Sequence, residues 1–181
     1  MSALLVYREG EPESPALETR ERAKIAGELK QIGVRFEQWQ AARELAPGAA
    51  EADVLAAYDG FVKRLMAEEG YAAVDVVRMH PEHPERAALR AKFLREHVHS
   101  EDEVRFFVEG AGAFFLHKDG KVFRVVCERG DLISVPAGIA HWFDAGECPR
   151  FCAIRLFTNK DGWVARYTGD PIAARFAPFA A

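Results

Sequence analysis

His97 and His99 stand two residues apart, and in a β-strand that spacing sends both imidazoles to one face. Glu103 follows four residues after His99, and Arg105 follows two beyond it. If strand parity survives the intervening Ser100-Glu101-Asp102, all four side chains share a side; a bend is expected there, so parity is only a guide. His141 lies far along the chain, after Val135-Pro136-Ala137-Gly138, at the entry to another short strand. His97, His99, Glu103 and His141 together offer three neutral imidazoles and one carboxylate. Such a donor set suits divalent iron, nickel, manganese or zinc; calcium and magnesium want oxygen shells. Four protein ligands on an octahedral ion leave two positions for a chelating substrate, which is the arrangement of a working metal. A lone histidine would be read as an ordinary core or surface residue. This combination would not.

The elements that must bring these residues together divide the chain into two parts. The first reads helical: residues 18–31 carry Ala23, Ile25, Ala26 and Leu29 and end before Gly33, a C-cap candidate. Residues 51–69 place Val54, Leu55, Tyr58, Phe61, Val62 and Leu65 at three-and-four spacing, an amphipathic helix closed by Gly70. Residues 34–39 and 71–77 read as strands, and residues 85–94 as a short helix with Leu89, Phe93 and Leu94 on one side. Pro81 and Pro84 leave His80 and His83 in an irregular loop, which argues against a metal role for either.

From about residue 97, short β-rich runs alternate with turn signals: 104–108, 113–117, 122–128, 132–135, 140–143 and 151–157. Lys118-Asp119-Gly120-Lys121 is a hairpin signal, which leaves His117 beside the turn and exposed. Strands this closely spaced predict a closed barrel or a two-sheet jelly roll. Either scaffold returns a late residue such as His141 against the early pair. The tail from Asp170 is Ala- and Pro-rich and is expected to wrap the surface. Glu101 and Asp102 read as a solvated acidic turn, with a role in orienting a ligand imidazole as the rival reading.

Composition bounds the rest. With 181 residues and 49% apolar content, the chain can bury a full core. A net charge of -4 gives no pull toward nucleic acid or an anionic membrane. No apolar run approaches the roughly 18 residues of a membrane span. Residues 1–10 lack the basic-then-apolar order of a signal peptide, so an unexported, cytoplasmic protein is expected. Cys127, Cys148 and Cys152 fit no zinc or redox spacing and are read as structural or bystander thiols.

Two motifs carry a resemblance. His97-Val98-His99-Ser100-Glu101-Asp102-Glu103, then six residues and Gly110, resembles the first cupin motif, HxHx(3-4)Ex(6)G. Gly130 to His141, with Pro136 and Gly138, resembles the second, Gx(5)PxGxxH. The second motif often closes with Asn four residues after its His; here that place is Ala145, which bears on subfamily and not on ligation. Asp102-Glu103-Val104-Arg105-Phe106-Phe107-Val108 and His141-Trp142-Phe143 look like an acireductone dioxygenase. So do Arg78-Met79-His80-Pro81, Ala153-Ile154-Arg155-Leu156-Phe157 and Gly162-Trp163.

The resemblance implies a mainly β fold: a cupin jelly roll (a double-stranded β-helix) with N-terminal helices packed outside. One cupin domain over 1–181 is expected, with a helical part carrying edge strands at 1–94, the metal-bearing core at 95–168 and a tail at 169–181. It implies one Fe2+ or Ni2+ per chain on His97, His99, Glu103 and His141. The implied reaction is cleavage of 1,2-dihydroxy-3-keto-5-methylthiopentene by O2 in methionine salvage. Iron gives formate and 4-methylthio-2-oxobutanoate; nickel gives carbon monoxide, formate and 3-methylthiopropanoate. Arg105 and Arg155 are implied in steadying the substrate anion, and Phe93, Phe143 and Trp163 in the aromatic pocket. The residues themselves leave bland readings open: Arg105 in an ion pair with Glu101, Arg155 facing solvent, and the aromatics as plain core. A small-molecule substrate, O2 and a monomer are expected, without nucleic acid or membrane. The rivals are another metal cupin, such as an isomerase or decarboxylase, and a non-catalytic small-molecule-binding cupin.

Overall fold

The computed structural model describes residues 1–41, 43–46, 48–159 and 164–180. In chain order the elements are β1 (Ala3–Arg8), β2 (Pro15–Thr19), α1 (Arg22–Gln31), β3 (Arg35–Gln38), α2 (Glu51–Ala57), α3 (Asp59–Glu69), β4 (Ala73–Met79) and α4 (Arg86–Phe93). They continue with β5 (His97–Val98), β6 (Glu103–Lys118), β7 (Lys121–Glu128), β8 (Asp131–Val135), β9 (Ala140–Asp144), β10 (Phe151–Phe157), β11 (Arg166–Tyr167) and a 3-10 turn, Pro171–Arg175.

β6 organises the rest. It runs 16 residues, where the sequence suggested two strands split by Gly110 and Gly112. Its first half pairs with β8 and β10; its second half pairs with β7 and β9. One strand therefore serves two sheets. The first sheet runs β11-β5-β9-β6-β7-β1-β2, and the second joins β4, β10, β6, β8 and β3, antiparallel throughout. The strand changes sheets near Gly110, whose φ of 65° lies in the left-handed region, and a Cβ there would collide with the carbonyl oxygen of Arg150. This is the expected cupin jelly roll.

Period-two alternation explains the layers. Phe107, Phe114, Leu116, Val125, Ile133 and Phe143 fill the core between the sheets, joined by Ile25 and Leu29 of α1. The opposite face of the second sheet, including Val104, Phe106, Ile154 and Leu156, packs against Val54 of α2, Val62 and Leu65 of α3, and Tyr58 between them. Those helices lie outside the roll, as expected. They are two, not one: the helix breaks at Tyr58, although Val54, Tyr58, Val62 and Leu65 still bury one continuous stripe.

Three further expectations need correction. The N-terminal part also supplies β1 and β2, which extend the first sheet beyond β7, so helix α1 starts at Arg22 and not near residue 18. The tail does more than wrap the surface: Ile172, Phe176 and Phe179 are buried against Tyr7, Phe115 and Trp142. His117 is not an exposed hairpin residue; it is partly buried, with Nδ1 2.7 Å from Glu96 Oε1. Among the described residues, no helix is long and apolar enough to cross a membrane.

Candidate metal centre

Two short ladders assemble the site. His97 in β5 lies directly opposite His141 in β9, and their ring centroids are 4.6 Å apart. His99 follows in the loop between β5 and β6, its ring 5.1 Å from that of His97 and 5.4 Å from that of His141. Glu103 opens β6 opposite Val135. The parity guide therefore fails between His99 and Glu103, where the chain is irregular, and holds from Glu103 to Arg105 within β6. The turn of the second motif clasps the loop of the first: Gly138 N–H donates to the His99 carbonyl at 3.0 Å, and Ala137 N–H to Asp102 Oδ1 at 2.9 Å.

The four side chains converge. His97, His99, Glu103 and His141 are all buried, and one potential ligand atom from each lies within 4.8 Å of the others. Metal–nitrogen and metal–oxygen bonds of about 2.0–2.2 Å put opposite donors about 4 Å apart, so the cluster is the right size for one ion. Glu103 Oε2 stands 2.8 Å from His141 Nε2 and 3.2 Å from His99 Nε2. The imidazole of His97 is aimed by its own backbone: Nδ1 lies 2.7 Å from the Arg95 carbonyl, and His141 Nδ1 likewise lies 2.7 Å from that of Ile139. Donation from Nδ1 to a carbonyl fixes the tautomer that presents an Nε2 lone pair inward. These orienting carbonyls were invisible in the residue types. Glu101 is engaged elsewhere, with Thr158 and with Asn159 Nδ2 at 2.9 Å, so neither acidic neighbour orients a ligand ring directly.

Protonation favours ligation. Burial, reinforced by the neighbouring His141, lowers the His97 pKa to about 4, so the ring is neutral at physiological pH. Burial pushes Glu103 upward, but the Arg105 guanidinium first, and the close approach of His141 and His99 after it, overcome it and hold the carboxyl well below its usual range. Its anion is the form that binds a cation. The donor set and spacing thus fit a divalent transition ion.

The centre opens into a cavity of about 450 Å³. Arg105 and Arg155 both line it, directly opposite one another across β6 and β10. Arg105 Nη2 is 2.6 Å from Glu103 Oε1, so its carboxylate partner is Glu103 and not Glu101. Its guanidinium carbon lies 4.5 Å from the Phe143 ring centroid and 4.9 Å from that of Phe114, and its buried Nε has no hydrogen-bond partner. Arg155 does not simply face solvent: Nε and Nη2 donate to Asp75 at 2.8 and 2.7 Å.

The predicted aromatics separate. Phe93 lines the cavity, together with Met79, Leu89 and Phe157, which the residue pattern had not assigned to a pocket. Phe143 is buried behind Arg105 among Phe93, Phe114 and Phe151, and does not line the cavity. Trp163 lies outside the described residues. His83 lines the cavity, while His80 is exposed and close to Glu82; neither joins the ligand cluster. Asp75 was missed, though an acid inside the apolar run 71–77 was a signal for it.

The comparisons with known proteins agree with one another. The profile of the ARD/ARD' family matches residues 3–165. The acireductone dioxygenase of Parvibaculum lavamentivorans is 59% identical over 179 residues, 99% of this chain and 97% of the relative. That of Pseudomonas aeruginosa is 56% identical over 176 residues, 97% of each. Among solved structures, the acireductone dioxygenase from Bacillus anthracis with a cadmium ion in its active centre superposes with a TM-score of 0.80 at 32% identity, covering 92% of this chain and 98% of that one. Profile, relatives and fold converge: the chain belongs to the acireductone dioxygenase family.

Proposed function

We propose that the chain cleaves 1,2-dihydroxy-3-keto-5-methylthiopentene with O2 at one divalent metal ion held by His97, His99, Glu103 and His141. The observation that carries this reading is the convergence of four buried ligands on a cavity that also presents two arginines. Iron or nickel held there would act as a Lewis acid that chelates and acidifies the ene-diol. The chain's own residues do the remainder. Arg105 and Arg155 place positive charge where the substrate anion must sit, in a site where Arg105 is almost wholly buried and its field is weakly screened. Met79, Leu89, Phe93 and Phe157 offer an apolar wall for the methylthio tail and keep water away. No side chain needs to act as a conventional general base, because chelation makes the ene-diol acidic.

Which ion is loaded decides the products: formate and 4-methylthio-2-oxobutanoate with iron, carbon monoxide, formate and 3-methylthiopropanoate with nickel. The chain works as a single cupin unit, monomeric and cytoplasmic, within methionine salvage. The test is oxygen uptake and loss of acireductone absorbance by the metal-loaded protein against the same sample stripped with a chelator. Turnover that needs the metal supports the reading. A loaded protein that leaves acireductone and O2 untouched overturns it.

A further inference from the structure

Three charged residues form one row across three strands. Asp75 in β4 is the register partner of Arg155 in β10, and Arg155 is the register partner of Arg105 in β6. Directly opposed residues on neighbouring strands project to the same face, so two guanidiniums meet beside the cavity with a carboxylate flanking one of them. Like charges side by side in a partly buried row are unfavourable unless each is compensated. Arg105 is compensated by Glu103 at 2.6 Å, and Arg155 by Asp75 through two contacts of 2.8 and 2.7 Å.

The two carboxylates differ in what else they must do. Glu103 belongs to the candidate ligand cluster and shares its charge with His99 and His141. Asp75 is outside that cluster and does not line the cavity, so Arg155 is what links it to the site. A bidentate fork fixes the plane of a guanidinium as well as its position. An unanchored arginine carries a flexible stem whose freedom must be surrendered when substrate binds. With the fork in place, that ordering has already occurred on folding.

We propose that Asp75 is a positioning residue of the reaction: it holds the Arg155 guanidinium against the cavity in the orientation that receives the substrate's oxyanion. The proposal rests on the acireductone reading and extends it to a residue beyond the metal's reach. The competing role for Asp75, a countercharge that only dampens the cavity's positive field, predicts the opposite sign. Removing a mere countercharge tightens anion binding; removing an anchor weakens it.

The experiment is a double-mutant cycle on the metal-loaded holoenzyme: wild type, Asp75→Asn, Arg155→Gln and the double variant, with kcat and KM for acireductone and metal content measured for each. Asp75→Asn is expected to raise KM about tenfold with kcat within about twofold, as loss of ground-state binding requires. Metal content should stay at the wild-type level. In the Arg155→Gln background the same change should add nothing, because its effect passes through Arg155. Asp75→Glu, which keeps the carboxylate, should return KM to within about threefold of wild type, an order-of-magnitude expectation for a restored fork. A lowered KM in Asp75→Asn, or losses that multiply in the double variant, would overturn the proposal. If Asp75→Asn does not fold, Asp75→Glu alone and with Arg155→Gln decides: near-wild-type KM alone and no added loss in the pair supports the anchor, and multiplying losses refute it. A wild-type protein inactive on acireductone would sink the functional reading itself, whereas an active one with multiplying losses sinks only the role of Asp75.

Discussion

His97 and His141 face each other across the shortest ladder of the first sheet, and this one register pair sets two imidazoles 4.6 Å apart, centroid to centroid. His99 and Glu103 complete the cluster from the adjoining loop and the start of β6. A four-donor site that loses one imidazole loses affinity steeply and exposes the remaining ligands to water. His99→Ala is therefore expected to lose metal and activity together, read by elemental analysis and oxygen uptake on one preparation. Full metal content in that variant would mean that the ligand set is wrong.

The acid limb of metal binding follows from His97. Burial first, and His141 second, lower its pKa from 6.5 to about 4, so the folded protein keeps this ring neutral where the unfolded chain is already protonated. A base with a depressed folded pKa makes the metal-free protein lose stability as pH falls from 6.5 toward 4, because the unfolded state then binds more protons. Thermal melts of the stripped protein across that window should show a falling midpoint, which bound metal opposes by mass action. A midpoint that rises on acidification would contradict this assignment.

Asp144 gives a second, independent handle on stability. Its side chain is wholly buried and accepts from Arg90 at 2.8 and 3.1 Å, from Gly146 N–H at 2.9 Å and from Phe179 N–H at 2.9 Å. It thereby ties α4, β9 and the tail together. Burial alone would raise its pKa, but the Arg90 fork and the backbone donors outweigh it and leave the carboxyl below its ordinary value. The stabilisation is present above the unfolded-state pKa and is lost as pH falls through the lower folded value. Asp144→Asn should cost about 2 kcal/mol near neutral pH, the buried-pair figure reduced because Arg90 is partly exposed. Denaturant titrations at neutral and acid pH check both the size and its disappearance.

Gly110 is the joint at which β6 passes from one sheet to the other. Gly110→Ala places a methyl group against the Arg150 carbonyl and forces a left-handed φ of 65° on a residue with a Cβ. The strain alone is worth about 1–3 kcal/mol, and the collision adds to it. We expect a protein that accumulates poorly in soluble form, or melts well below wild type in scanning calorimetry. A wild-type melting temperature would show that the bend tolerates a side chain.

Much of the centre was legible because its chemistry is written in residue type and local spacing. The HxH pair, the carboxylate and the late histidine survive as one cluster. What stayed hidden depends on distant partners. The Arg105 contact to Glu103 and the Arg155 contact to Asp75 needed register, which no local pattern supplies. Phe143 follows His141 at strand spacing, yet its depth behind Arg105 is a packing outcome. The break at Tyr58 was invisible because the apolar stripe continues through it. β2 was missed because Pro15–Thr19 is largely exposed and reads as a strand only through its edge pairing with β1.

On the proposed function, O2 cleaves an acireductone at an ion held by these four ligands, and the identity of the ion would choose the product. The most direct measurement loads the stripped protein separately with iron and with nickel, supplies acireductone and O2, and assays the keto acid and carbon monoxide on the same samples. Formate with 4-methylthio-2-oxobutanoate is expected from the iron form, and carbon monoxide from the nickel form. Consumption of neither O2 nor acireductone by either fully loaded sample would contradict it.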